Sequence, residues 1–378
     1  MKKIHISLVG GQPIPVYIGI KDHGQANIVV LVCSAQSHVE AERLQAQFPK
    51  REVQIIECSP TDLQQIESLA QNLKEQYHDC EVTVNLTSGT KLWALSFYKV
   101  FSTHAFAQFI YVDQTNLLID LMTKETHRRD IDISTRFELY GTPLKDYHSI
   151  NEYTTADFDV MRRVEKFRKL NKKAFSEMTN KINKADLEED GLFVDSSSGS
   201  ILEWTHLPKW AKITLKGSFG EKTEEFESEH VFDIVFHAGW FELKVAEVLR
   251  KTLPEPKDIR LNGMFVDSDG LAKNEIDIIV DCGTRLIFVE CKTMVFDTTD
   301  IDKFRSALRN YSGTSSSGLF VTYEKPNEYT KDKYQLALEK CRDNDIQTFN
   351  YSLWNLDKEN NLTLGQIVND MMSKQNKR

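Results

Sequence analysis

Asn274–Lys292, NEIDIIVDCGTRLIFVECK, reads as two β-strands around a tight turn. Ile276–Asp281 and Leu286–Cys291 are apolar and β-branched, and Gly283-Thr284 between them is the turn. Side chains alternate along a strand, so Glu290 and Lys292, two residues apart, share a face. A loop centred on Gly283-Thr284 pairs Asp281 with Leu286 and Asp277 with Glu290. Directly opposed residues stand about 5 Å apart, and two carboxylates at that distance repel. A divalent cation between them, with Lys292 alongside, relieves the repulsion. The plainer alternative is a surface hairpin carrying an ordinary Glu–Lys pair.

An Asp followed by Glu-x-Lys at the end of an apolar strand resembles the active-site pattern of the PD-(D/E)XK nuclease superfamily. The resemblance implies that Asp277 and Glu290, with the Cys291 carbonyl, bind Mg²⁺ or Mn²⁺. It also implies that Lys292 positions or deprotonates the attacking water. The flanking order supports this frame. A helix opens at Gly239-Trp240-Phe241-Glu242, a strand follows at Arg260–Val266, and the hairpin comes next. After it come a helix near Thr299–Tyr311, a strand at Gly318–Tyr323 and a helix at Tyr334–Asp343. In the superfamily's αβββαβ core the leading helix carries a glutamate that faces the metals, and Glu242 matches it, with Glu247 as competitor. Arg305 and Arg309, one turn apart on the later helix, are candidates for phosphate contact or for pairing with Asp302.

The chain has 378 residues, longer than one typical domain, and its 40% hydrophobic content is enough for two cores. A net charge of −9 excludes a uniformly basic nucleic-acid coat, so any polynucleotide contact is local. The cysteines, Cys33, Cys58, Cys80, Cys282, Cys291 and Cys341, form no C-x-x-C pair and read as buried thiols of a reducing compartment. With no signal peptide and no membrane-spanning run, the expectation is a soluble, cytoplasmic protein.

From Met1 to about Tyr140, apolar strands alternate with amphipathic helical segments. The strand candidates are Ile4–Val9, Ile28–Cys33, Val53–Glu57, Val82–Leu86 and Gln108–Val112. Helices are expected over Ser37–Gln47, Thr61–Gln76 and Thr90–Thr103. This alternation predicts a parallel sheet with helices on both faces, a Rossmann-like fold whose ligands bind beyond the strands' carboxyl ends. There is no G-x-G-x-x-G and no Walker A spacing. Thr87-Ser88-Gly89-Thr90-Lys91 instead offers hydroxyls, a glycine, a helix amino terminus and one ammonium, a set suited to a phosphodiester. The alternative is that Thr87 or Ser88 merely caps the helix.

Leu8-Val9-Gly10-Gly11-Gln12-Pro13 together with Asn85-Leu86-Thr87-Ser88-Gly89-Thr90-Lys91 resembles the CARF domain, the CRISPR-associated Rossmann fold that senses cyclic oligoadenylate. The resemblance implies activator contacts from Gly10, Gly11, Gln12 and Pro13, from Ser34, Ala35 and Gln36, and from Thr87, Ser88, Gly89, Thr90 and Lys91. Ser88 stands where many members carry a second glycine. Asp113 and Asn116 are placed at the pocket rim, although Asp-x-x-Asn is equally good turn chemistry.

Between the halves, Phe158, Met161, Val164, Phe167 and Leu170 recur at helical spacing within Ala156–Lys181. The other faces carry Arg162, Arg163, Lys166 and Lys169, which either are solvated or track a phosphate backbone. A Ser-rich loop at Ser196–Ser200 precedes β-prone segments Ile201–Thr205, Lys212–Lys216 and Phe232–Phe236.

The expected architecture is α/β, with a CARF domain over 1–144, a connector over 145–230 and a PD-(D/E)XK nuclease domain over 231–378. The chain as a whole resembles a CRISPR ancillary nuclease of the type III systems. That implies a homodimer gated by cyclic tetra-adenylate that hydrolyses single-stranded DNA and/or RNA, and nicks supercoiled DNA, with Mn²⁺ or Mg²⁺. Two alternatives stay open: a DNA-repair or restriction nuclease with a nucleotide-sensing domain, and a non-catalytic, ligand-gated nucleic-acid-binding protein.

Overall fold

A computed structural model describes residues 1–22, 25–218, 220–253, 258–266, 271–283, 285–294, 296–311, 316–352 and 363–373. Thr284, the second residue of the expected hairpin turn, lies outside them. The chain divides into two compact units: Met1–Leu144 with Val266–Leu271, and Lys145–Phe265 with Ala272–Arg378.

The first unit alternates strands and helices: β1 (Lys3–Val9), α1 (Pro13–Asp22), β2 (Ile28–Cys33), α2 (His38–Ala46), β3 (Glu52–Glu57), α3 (Leu63–Gln76), β4 (Glu81–Asn85), α4 (Lys91–Phe101), β5 (Ala107–Val112), β6 (Leu117–Asp120), β7 (Thr126–Arg128) and α5 (Ile133–Leu139). The sheet order is β3-β2-β1-β4-β5-β6-β7. The first five strands run parallel, and β6 and β7 add antiparallel. Ile4, Ile6 and Leu8 pack with Trp93, Phe97 and Phe101 on one face. Val9, Val29 and Leu31 pack with Ile14, Ile18 and Leu44 on the other. With both faces covered, β2 reads as an unbroken apolar run, while β1 carries the buried His5 and Ser7 among its apolar residues.

Helix α1 falls where the sequence reading has only a loop. Pro13 and Pro15 look like breakers, but both sit in the first turn, where backbone N–H groups have no partner within the helix. The helix is buried nearly all round, from Pro13 through Ile20, so no amphipathic stripe marks it.

The second unit runs β8 (Leu144–Ser149), α6 (Thr155–Phe167), α7 (Lys172–Lys181), β9 (Gly191–Val194), β10 (Ile201–Thr205), β11 (Trp210–Gly217), β12 (Gly220–Glu227), α8 (Val231–Val235), α9 (Gly239–Thr252), β13 (Asp258–Val266), β14 (Ala272–Asp281), β15 (Leu286–Lys292), α10 (Thr298–Tyr311), β16 (Ser316–Thr322), α11 (Lys331–Asp343), β17 (Ile346–Asn350) and α12 (Leu364–Ser373). A mixed sheet takes the order β17-β16-β15-β14-β13-β8, and β9 to β12 form a separate four-stranded sheet. Residues of α6, α7, β10 and β11 share one apolar core with α9, β14 and β15.

Two expectations are corrected here. The continuous helix over Ala156–Lys181 breaks at Asn171, whose side chain accepts from the Ala174 N–H as a cap and donates to the Lys216 carbonyl. The expected strand Phe232–Phe236 is instead mostly helix α8, with Phe232 and Phe236 in ring contact four residues apart. The sequence reading also passed over β12, because GEKTEEFE is almost wholly polar and its side chains are mostly exposed. Among the described residues no helix is long and apolar enough to cross a membrane. The six cysteines are free, and all but the half-buried Cys282 are buried.

Candidate functional site

In the first unit, β1 lies between β2 and β4, so the connections leave it in opposite directions and open a crevice beyond the carboxyl ends of β1 and β4. Gly10 follows β1 and Thr87–Lys91 follows β4. The Ser88 hydroxyl links the two turns, accepting from the Gly10 N–H at 3.1 Å and donating to the Gln12 carbonyl at 3.4 Å. A Cβ on Gly10 would lie 2.9 Å from the Gly89 nitrogen, and Gly89 has φ +76°, so this approach requires glycine at both positions.

Other polar groups of the crevice hold the backbone. Asn85, fully buried at the end of β4, accepts from the Thr87 N–H and hydroxyl and donates to the Pro15 carbonyl. Thr87 accepts from the Val112 N–H at 2.7 Å, and Thr90 caps α4 through the Trp93 N–H. Ser34 and Ser37 form a capping box, and Ser37 donates to the Val9 carbonyl, which ties the second loop to β1. Gly11, Gln12, Ala35, Gln36, Gly89 and Lys91 remain exposed, and Pro13 is buried at the start of α1. Asp113 accepts from the Thr115 and Leu117 N–H groups, and Asn116 is buried at φ 59°, so both serve the β5–β6 turn. Asn85, the first residue of the Asn85–Lys91 motif, is the anchor that sequence reasoning misses. A polar residue closing an apolar strand was the signal available.

In the second unit, the ladder between β14 and β15 runs from Asp281 opposite Leu286 to Ile278 opposite Val289. Asp277 and Glu290 come next, at the open end. They are not bare opposed charges: Asp277 accepts from the Cys291 N–H at 2.6 Å, and Glu290 pairs with Lys292 at 2.7 Å. A cleft of about 460 Å³ gathers Asp277, Cys291 and Lys292 with Glu242 from the first turn of α9. Burial, then Asp277, Glu275 and Glu290, raise the Glu242 carboxyl well above its ordinary range. Burial and Glu290 do the same to Asp277, and burial raises Glu290 against the pull of Lys292. Burial disfavours the charged form of Lys292, yet Glu290 and Asp277 outweigh it and hold the ammonium protonated. Glu247 does not compete for Glu242's place, because it takes ion pairs with Arg162 and Lys251 at 2.7 Å.

The same cleft includes Glu275, Asn262, His237, Asn180 and Lys184, none of which the sequence reading singled out. Glu275 was within reach, since it lies two residues before Asp277 on one strand. His237 and Ala238 both adopt positive φ just before α9, as does Asn262 at 54°. Such backbone is sparsely populated for non-glycine residues and clusters at working sites.

On the basic helical face, two of the four singled-out residues have partners in the fold and, among the described residues, two do not pair there. Arg162 pairs with Glu247, and Arg163 donates to the Glu225 carbonyl and lies over Phe226. Lys166 and Lys169 are exposed. On α10, Arg305 is half-buried and Arg309 exposed, while Asp302 pairs with Lys340 at 2.6 Å.

A search of curated protein sequences finds no match. Can2 from Sulfobacillus thermosulfidooxidans, solved in complex with cyclic tetra-adenylate, is similar at 17% identity with a TM-score of 0.63, covering 92% of this chain and 95% of that one. Protein VC1899 from Vibrio cholerae gives 15% and 0.67, covering 93% and 94%. A type III CRISPR defence DNA nuclease activated by cyclic oligoadenylate gives 16% and 0.55, with 86% of this chain on 46% of that one. At these identities the likeness is one of fold. Residues 4–140, which hold the β1–β4 crevice, match the family model of the Card1 CARF domain.

Proposed function

We propose that the chain is a nuclease gated by cyclic oligoadenylate and dependent on a divalent metal, acting on single-stranded DNA and/or RNA in type III CRISPR defence. One observation carries the catalytic part: Glu242, Asp277 and Lys292 line one cleft, Glu290 pairs with Lys292 at 2.7 Å beside it, and all three carboxyls are held above their ordinary range. A fold that keeps acidic groups at such mutual cost suits a hard cation, and the all-oxygen donor set fits Mg²⁺ or Mn²⁺. Asp277 and Glu290 would hold the ion with the Cys291 carbonyl, and Glu242 faces them as a further ligand or water acceptor. When bound, the metal supplies charge neutralisation at the phosphate and an activated water. Lys292, at the same cleft and 2.7 Å from Glu290, would position or deprotonate the attacking water.

The sensing part is supported by the match over residues 4–140 and by the switch-point crevice. An anionic ring would meet the amino terminus of α4, the backbone of Gly10–Gln12 and the Lys91 ammonium. A four-fold cyclic ligand suits a site shared by two copies, hence a homodimer. The likeness to a structure holding cyclic tetra-adenylate favours that ring size.

The test is cleavage of labelled single-stranded DNA and RNA with Mn²⁺ or Mg²⁺, with and without cyclic tri-, tetra- and hexa-adenylate. Cleavage should need both metal and one activator, EDTA should stop it, and Mn²⁺ should restore it at least as well as Mg²⁺. Full activity without activator would favour the repair or restriction alternative. Activator binding without cleavage of any substrate would favour the non-catalytic one.

A further inference from the structure

Beside the carboxylate cleft, the second unit gathers a different set of donors. His148 lies at the end of β8, and His230 and Asp233 lie at the start of α8. One donor atom from each lies within 4.8 Å of the other two. His230 Nδ1 is 3.4 Å from Asp233 Oδ2, and His148 Nε2 is 3.9 Å from the same oxygen. We propose that His148, His230 and Asp233 form a site for a zinc-class divalent transition cation, separate from the Mg²⁺ or Mn²⁺ position.

The spacing is close to what such an ion needs. Bonds of about 2.0–2.1 Å in a tetrahedral site put the donors roughly 3.4 Å apart. Two imidazoles and one carboxylate suit zinc-class ions, whereas the hard cations of the nuclease cleft take oxygen alone. Three protein donors leave a fourth position for water.

The surroundings hold the ligands as metal-binding histidines are usually held. His148 presents Nε2 to Asp233 while its Nδ1 faces the Glu152 carboxylate at 3.6 Å, the side on which an outer carboxylate partner of a metal-bound imidazole stands. Tyr153 packs against both imidazoles, with ring centroids 6.3 Å from His148 and 4.6 Å from His230. The fully buried Asp157 accepts from the His230 backbone N–H. His148 is 37% exposed, which leaves the ion a way in. The cation would also bear on the larger cleft, because Asp233 lines it and a Cβ on Gly239, where α9 begins, would collide with the Asp233 carbonyl. A filled site would pin the edge from which Glu242 projects.

The test uses the full-length protein with saturating Mg²⁺, titrated with Co²⁺ and, in parallel, Zn²⁺. One Co²⁺ per chain should bind with visible ligand-field bands of imidazole ligation and be displaced by Zn²⁺. His148→Gln and Asp233→Asn should each weaken binding at least tenfold, while Glu290→Ala should leave it unchanged. Circular dichroism of the variants would verify folding, and His148→Gln, at the half-exposed ligand, is the least disruptive. The wild-type spectrum is informative by itself, since carboxylate-only or absent binding overturns the proposal. So does an unchanged Co²⁺ affinity in folded His148→Gln and Asp233→Asn, or loss of binding in Glu290→Ala, which would put the ion in the carboxylate cleft.

Discussion

At the β1–β4 crevice, Asn85, Thr87, Ser88 and Thr90 all have partners in their own backbone. At the cleft of the second unit, Glu242 and Asp277 stand with Lys292, and the Glu290 carboxylate beside Lys292 adds to the crowding of like charge. The first arrangement stabilises the fold as it stands and leaves the Lys91 side chain exposed at its edge. The second opposes folding, because like charges are held in a partly desolvated place. The physical lesson is that the turn proposed here to meet an anion is built from groups that also cap helices. A cation-binding cleft cannot be built that way, since its ligands must stay available to the ion. Substitutions should therefore act differently in the two regions.

The largest effect should come from Lys292→Ala, Asp277→Asn or Glu290→Ala. Each should lower activator-dependent cleavage by more than the ~10- to 100-fold that losing an outer partner of a metal ligand costs. Activator binding should be unchanged. A Lys292→Ala protein cutting at the wild-type rate would remove the cleft from the chemistry. Next, Lys91→Ala should weaken activator binding about ten- to a hundredfold, the ~1.5–3 kcal/mol of a hydrogen bond to a charged group. Titration of cleavage against activator reads this, and the plateau at saturation should stay near wild type. A lowered plateau with unchanged binding would place Lys91 on the coupling path instead.

A smaller effect, of opposite sign, is expected for Glu242→Gln. A carboxyl whose ionisation is disfavoured in the fold costs stability above its unfolded-state pKa, so neutralising it should help in EDTA at neutral pH. About 1 kcal/mol, or roughly 2–4 °C in melting temperature, is the expected gain, shrinking when Mg²⁺ is added. A loss of stability would mean that Glu242 is structural. The smallest effect should be that of Ser88→Ala, which removes the link between the two turns and costs about 1 kcal/mol or less, read by denaturant melts. Its effect on activator affinity should be weaker than that of Lys91→Ala.

Much of both regions was legible in the chain because the informative patterns are local. Strand Ile28–Cys33 is apolar from end to end, and the turn after β4 shows its hydroxyls, glycine and lysine in sequence. The register of Asp281 with Leu286 follows from period-2 alternation and a short turn. Other elements were hidden for identifiable reasons. α1 is buried on every side, so it has no stripe, and its prolines imitate a loop. β12 is polar and earns its place by pairing with β11. Phe232–Phe236 is too short and apolar to tell a strand from a turn of helix, and packing against α9 decided it.

Sequence alone determined which residues could do chemistry: the Asp277, Glu290 and Lys292 set, and the two glycine-bearing turns of the first unit. Alternation and spacing set these, and both survive any arrangement of the rest. Tertiary structure alone decided which candidates were already committed. Arg162 and Glu247 come from α6 and α9, 85 residues apart, and their pairing, with Lys251, commits Glu247 to ion pairs away from Glu242's place. It also brought His148 to His230 and Asp233, more than eighty residues away, by running β8 along β13 and folding α8 back beside it. Such meetings depend on long-range packing of apolar faces, which no window of sequence contains.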